Sequence, residues 1–367
     1  PLAFWKHITA AQYGQQMFSS FEVAWRKTVQ FTLDLPADFS WPVLALAAAG
    51  TALLAWRSPR LLVFSILVFA VGLFYAINYA FDDPNFHLHP HFMIALWTGV
   101  AVAAASNLAR GAWRFPVRTA CVVAVLSVPV QNFPVMDKSR DTLVHDYARN
   151  VLESLDSGAV LFTNEYERLG SPAFYFQSVK GFREDAAVLD IILLGNPWYY
   201  GYLEQQVPWL VELAQPEITA FRNELEWFFS SRNTAPDSTA LRAGLAAMFN
   251  AIVENARAEG RPVYVTGGIN PAMIEQFQHA PTGMVFRLLD PDDTTRVPLR
   301  EPRFAPLPRH NRLTPTVRSD YAQAYAYQGA YLAQWGDTAR AVEFLEKSLE
   351  ILPDFPDVEG YLRELRP

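Results

Sequence analysis

The sequence predicts an α-helical transmembrane bundle, a soluble α/β domain and a helical hairpin, in that order. Three observations predict it. Residues 41 to 131 hold seven charged side chains in 91 positions, whereas the other 276 residues hold 60, which separates a lipid-dissolved part from a water-dissolved one. From Asp141 to Leu289, short apolar runs alternate with amphipathic helical stretches, the pattern of strands with helices packed across them. After a Pro-rich stretch, two Ala-rich helical segments meet at Gly336-Asp337.

Residues 1–40 read as helical, partly amphipathic structure at a membrane surface, with Trp5, Tyr13, Phe18, Phe21 and Trp25 among polar neighbours. Four apolar stretches follow within residues 41–131: Trp41 to Trp56, Leu61 to Phe81, Phe92 to Ala109, and Phe115 to Val130. A span needs about 17 to 25 apolar residues. The second and third qualify; the first is short with Trp at both ends, and the fourth must let Arg118 snorkel. Arg57 and Arg60 share one turn, and Arg110, Arg114 and Arg118 share another two spans later, while the intervening loop carries Asp82 and Asp83. Positive charge marks the cytoplasmic side, so residues 1–40, the 82–91 loop and everything after 131 are expected on the outer, periplasmic face; were the fourth stretch not to span, the soluble part would be cytoplasmic instead.

That outer loop runs Asp82-Asp83-Pro84-Asn85-Phe86-His87-Leu88-His89-Pro90-His91. Extended, it would point its three imidazoles to one side; with two carboxylates they would suit a general base or a divalent metal, the one cofactor the sequence suggests. A plain polar loop is the alternative.

The soluble part is expected at 132–296 as a parallel, Rossmann-like sheet. Gly158 to Thr163 and Ala186 to Leu194 read as strands around a helix, Pro262 to Thr266 as a third strand followed by Gly267-Gly268 and a helix from Pro271, and Met284 to Leu289 as the last strand. Ligands of such sheets gather at the carboxyl ends of strands, here Asn164, Glu165, Thr266, Gly267 and Gly268. Neither a GxGxxG nor a Walker signature is present, so a structural strand-to-helix turn is the simpler reading of the glycines. Residues 297–318 read as a linker. Residues 319–367 follow, with Tyr331-Leu-Ala-Gln-Trp-Gly-Asp-Thr-Ala-Arg-Ala matching the tetratricopeptide pattern for one repeat; alone it must pack on the preceding domain or begin an array.

The net charge of −7 excludes a nucleic-acid partner driven by clustered cations. The single Cys121 lies in an apolar stretch and builds no disulfide framework. The chain opens at Pro1 with no visible signal peptide, and an N-terminally truncated sequence is expected.

The opening Pro1-Leu-Ala-Phe-Trp-Lys-His-Ile-Thr-Ala-Ala-Gln-Tyr13, the Asp83 to Pro90 loop, Gly158 to Glu165, Tyr175-Phe-Gln177, Gly181 to Asp185 and Asn196-Pro-Trp-Tyr199 together resemble the bacterial protein O-mannosyltransferase-like membrane family, of GT-C glycosyltransferase architecture. The resemblance covers roughly residues 1 to 200. It implies sugar transfer from a lipid-phosphate donor to a protein or glycan acceptor at the outer membrane face, with the catalytic carboxylate upstream of residue 1. It also implies substrate-binding roles for Trp5, His7, Gln12 and Tyr13 and for Asp82, Asp83, His87 and His89, although His stands where the family's loop carries an aromatic. The other reading is a non-catalytic membrane scaffold that recruits partners in envelope assembly, with the repeat as a protein-binding element.

Overall fold

The computed structural model describes residues 20–79, 84–230, 238–309 and 311–366. Two compact units, residues 1–138 and 139–367, divide the chain, and each is described by itself.

Among the described residues the first unit contains the helices α1 (Phe21–Phe39), α2 (Trp41–Arg57), α3 (Pro59–Asn78), α4 (Leu88–Leu108) and α5 (Arg114–Met136). Three segments, Pro59–Asn78, Leu88–Leu108 and Gly111–Met136, are each long and apolar enough to cross a membrane. The expected first span does not stand alone. Helix α2 has 17 residues, a rise of about 25 Å, and meets the length and hydropathy of a span only together with α1, from which it is bent by 109°. The bend sits at Ser40, whose φ of 61° lies in the left-handed region that non-glycine residues enter at a cost of about 1 kcal/mol. Apolar side chains of α3 such as Phe64, Leu67, Val71 and Phe74 are exposed, as expected of a helix that is apolar all round and faces lipid. Small residues set the packing inside: a Cβ on Gly50 of α2 would lie 1.8 Å from the carbonyl oxygen of Trp97 on α4, so only glycine allows these helices to approach so closely.

The second unit is a mixed five-stranded sheet covered by helices on both faces. Strands β1 (Val160–Thr163), β2 (Ala187–Asp190), β3 (Val263–Val265), β4 (Gln278–Thr282) and β5 (Val285–Leu289) lie in the order β2-β1-β3-β5-β4. β2 and β3 pair parallel to β1, whereas β5 pairs antiparallel to β3 and β4. The parallel expectation therefore holds for three strands only. β4 was not anticipated, since its exposed Gln278-His279 and internal Pro281 are poor strand formers. The helix expected from Pro271 is a three-residue turn, and the second strand stops at Asp190, whose carboxylate accepts from the amides of Ile192 and Leu193 and starts the short helix α8 (Ile191–Leu194) there.

Alternation along the strands divides the core. Val160, Phe162, Ala187, Leu189, Val263 and Val265 point to one face, against α9 (Pro197–Gln206), α10 (Pro208–Leu213), α11 (Gln215–Ser230) and α12 (Ser238–Ala258). Leu161, Val188 and Tyr264 point to the other, against α6 (Leu143–Glu153), α7 (Ser171–Ser178) and α13 (Thr314–Gln334). Val317 and Tyr321 of α13 are fully part of this second core. Of the C-terminal helices α13, α14 (Thr338–Ile351) and α15 (Pro356–Leu365), α13 is thus packed on the sheet, with α14 against α13 and α15 against α14; α13 starts seven residues before the expected Tyr321, and α15 was not foreseen.

Three of the sequence stretches behind the family resemblance have structural tasks. Arg183 donates to the carbonyls of Leu152, Leu155 and Asp156 at 2.6, 2.9 and 2.6 Å, satisfying carbonyls left over at the end of α6. Gln177 donates to the carbonyls of Arg183 and Ala186 at 2.9 and 2.7 Å. Tyr199 is fully buried beside the end of β2.

Candidate functional site

Of the residues singled out from sequence, Trp5, His7, Gln12, Tyr13, Asp82 and Asp83 lie outside the described residues. His87 and His89 are described, and the structure separates them. The loop is not extended: Pro84–His87 is a 3-10 turn and α4 begins at Leu88, so the helical period places His87 and His91 on one face and His89 on another. Among the described residues no group of three metal-binding side chains forms.

His87 and His91 face α1. Their rings lie 5.1 and 5.6 Å from that of Phe31, and His91 is 5.2 Å from Phe39. His91 Nε2 is 3.0 Å from Asp38 Oδ2, so the carboxylate fixes that nitrogen as the protonated one and leaves Nδ1 as an acceptor in the neutral ring. Burial, with the neighbouring His91, holds the His87 imidazole below its ordinary pKa. Lys27, on the same face of α1, is buried and donates from Nζ to the carbonyl of Tyr79 at 2.7 Å, placing a cation at the carboxyl end of α3 where the helix dipole favours it. The spacing Lys27, Phe31, Asp34, Asp38 is a single helical face; that periodicity was the available signal for the α1 residues.

His89 instead borders a groove of about 580 Å³, lined otherwise by Leu67, Val68, Val71, Gly72, Tyr75 and Phe86. Gly72 admits the turn, since a Cβ there would stand 2.8 Å from His89 Cβ. The segment 86–91 therefore carries a polar cluster on one side and an apolar groove on the other.

The second unit assembles a polar cluster at the carboxyl ends of β1, β2 and β3, where the sequence pointed. Asn164 donates to the carbonyl of Gly268, and Thr266 Oγ1 lies 3.3 Å from Thr163 Oγ1, so the two expected turns meet. Glu165, 5% exposed, accepts from the Tyr147 hydroxyl at 2.6 Å. Arg168 Nε is 3.2 Å from Glu165 Oε2 and 3.0 Å from Asp320 Oδ2. Burial pushes the Asp320 carboxyl up to about 6, against the pull of Arg168. Asp190 is 1% exposed with Oδ2 lacking a hydrogen-bond partner, and burial raises its pKa; a Cβ on Gly170 would lie 2.6 Å from that oxygen. Tyr147, Arg168, Asp190 and Asp320 were not foreseen, because α6, β2 and α13 supply three of them from far along the chain. Tyr147, Glu165, Arg168 and Asp320 join α6, the β1 turn and α13, and their polar groups are turned to one another, which makes these four a structural latch.

Comparison with protein families, with curated proteins and with solved structures finds no match to this chain.

Proposed function

We propose that this chain is the C-terminal part of a bacterial inner-membrane glycosyltransferase that moves a sugar from a lipid-phosphate donor to a protein or glycan acceptor on the periplasmic face. One observation carries the reading: the 86–91 segment bears the Asp38–His91 and His87 cluster on one side and the apolar groove at Leu67 to His89 on the other. A lipid-linked phosphate needs both, an apolar channel for its chain and hydrogen-bonding groups for its head. The arginines at the turns after α2 and α4 put the opposite ends of the helices in the cytoplasm, which leaves the cluster and the soluble unit outside. In the same reading the sheet domain is Rossmann-like, and the α13–α14 hairpin is tetratricopeptide-like, supported by the contact of Gly329 with Leu345 and Ala341.

In the transfer step the acceptor hydroxyl oxygen bonds to the sugar's anomeric carbon as the bond from that carbon to the phosphate oxygen breaks. The hydroxyl proton passes to a base, which this reading places upstream of residue 1, and the electron pair leaves with the phosphate. His87, whose neutral ring keeps one N–H, donates to the phosphate and eases the departing charge, while His91, its own N–H committed to Asp38, packs against that ring and holds it.

The test is transfer from a polyprenyl-phosphate sugar by membranes holding the full reading frame. His91→Ala is expected to lower kcat by about 10²-fold with the protein still inserted. Unchanged transfer in that variant would remove the cluster from the chemistry, and no transfer with any donor would favour the scaffold.

A further inference from the structure

A second concavity lies at the β4 edge of the sheet domain. It has a volume of about 490 Å³, within the range of small-molecule sites. Its floor is rigid and apolar: Ala280, Leu289 and Val297 are buried in one cluster with Tyr331 packed against it, and the Tyr331 hydroxyl accepts from the amide of Val297 at 2.9 Å. One wall is Trp335, 43% exposed and held edge-on to Tyr331 with centroids 6.1 Å apart. Exposed aromatic surface at the end of α13 is not needed for the core, since α13 buries Leu332 and Tyr325 instead.

The remaining wall offers acceptors, beside the hydroxyls of Thr294 and Thr295, which can accept or donate. His279 Nε2 is 2.8 Å from the carbonyl of Ile274; a carbonyl only accepts, so Nε2 carries the proton and Nδ1 of the neutral ring keeps its lone pair. Gln278 spends its amide on the carbonyl of Pro291, leaving its oxygen. Asp293 accepts at Oδ1 from the amide of Thr295 at 2.8 Å and takes a further hydrogen bond from the Thr295 side chain, and its carboxylate still has lone pairs to offer. Gln334 completes the rim. The lining contains neither lysine nor arginine; Arg296 lies over the Trp335 ring at 5.7 Å without lining the pocket. Such a surface disfavours phosphates and carboxylates and suits a molecule with several hydroxyl donors around an apolar face.

From this we infer that the edge pocket bounded by Trp335, Tyr331, Gln334, Gln278, His279 and Asp293 is a binding site for a neutral saccharide, which stacks the C–H face of a pyranose on Trp335 and donates its hydroxyls to the acceptor wall. The inference goes beyond the transferase reading and does not depend on it, because it is read by binding rather than by transfer.

The experiment is saturation-transfer NMR on the full chain in a non-glycosidic detergent, with mannobiose, cellobiose and chitobiose as probes and a lysine–arginine dipeptide as the cationic competitor. At least one disaccharide is expected to bind with a Kd in the millimolar range, with saturation strongest at ring C–H protons. Trp335→Ala is expected to weaken it at least about tenfold, Gln334→Ala to weaken it less, and Trp198→Ala, a more exposed tryptophan elsewhere in the unit, to leave it unchanged. Binding by none of the three sugars, binding indifferent to Trp335→Ala, or displacement by the cationic dipeptide in preference to sugar would each overturn the proposal.

Discussion

Replacing Arg168 by Met removes the only cation between Glu165 and Asp320 in the latch while keeping a long apolar stem. The Glu165 side chain is 4% exposed, and those of Arg168 and Asp320 are 19% and 21% exposed. Breaking a buried pair from one side costs about 3–5 kcal/mol, and the partial exposure of two members puts the expectation near the lower limit. The latch ties α13 to the β1 turn, so the loss should show as local opening. Hydrogen exchange of the intact protein, followed in peptides covering 160–170 and 314–334, should accelerate by about a hundredfold. The same network sets a pH dependence. With a folded pKa of about 6 against the usual 3.8, Asp320 favours the folded state fully below pH 3.8, and that contribution is lost as pH rises through 6. Its size is on the order of 2–3 kcal/mol. Asp320→Asn should flatten this component between pH 4 and 6, and in Arg168→Met the window should move above pH 6. Exchange within a factor of about three of wild type for Arg168→Met, with an unshifted pH profile, would refute the reasoning.

Further expectations concern the two units separately. Gly50→Ala should loosen the α2–α4 contact by about 1–3 kcal/mol, measured as earlier loss of helix ellipticity in SDS titration, whereas Gly99→Ala, with open space around its Cβ, should not. Gly72→Val should pinch the turn against His89 and close the groove, read as reduced photolabelling by a diazirine-bearing polyprenyl phosphate. Asp185, held down to about 2 chiefly by the Arg183 hydrogen bond, contributes stability above pH 3.8 that is lost as pH falls towards 2. Its side chain is 37% exposed, so screening limits this to about 1 kcal/mol or less, and Asp185→Asn should remove it in an acid titration of exchange.

The membrane helices were legible because apolar length alone identifies a span; what sequence missed was the 109° bend, which a left-handed Ser40 makes and no residue-type signal announces. Short apolar runs gave β1 and β3 to within two residues, since their side chains divide between two cores and both faces are apolar. β4 escaped because a polar edge strand has no apolar period to detect. Asn164, Glu165 and Thr266 were found from the rule that strand ends gather polar groups, yet the cation among them and Asp320 come from a turn and a helix whose approach is a tertiary fact. The three histidines were read as a strand face; the Pro84 turn and the helix from Leu88 replace period two by period 3.6 and send His89 to the groove.

The central claim is that the 86–91 segment holds a lipid-linked phosphate, and photolabelling tests it most directly. Full-length protein in membranes, irradiated with diazirine polyprenyl phosphate and digested, should carry label on peptides spanning 67–75 and 86–91, with labelling competed by unlabelled polyprenyl phosphate and weakened at least about tenfold in His91→Ala. Label spread evenly over α3, α4 and α5, competed equally by a neutral polyprenol and unchanged in His91→Ala, would contradict the account.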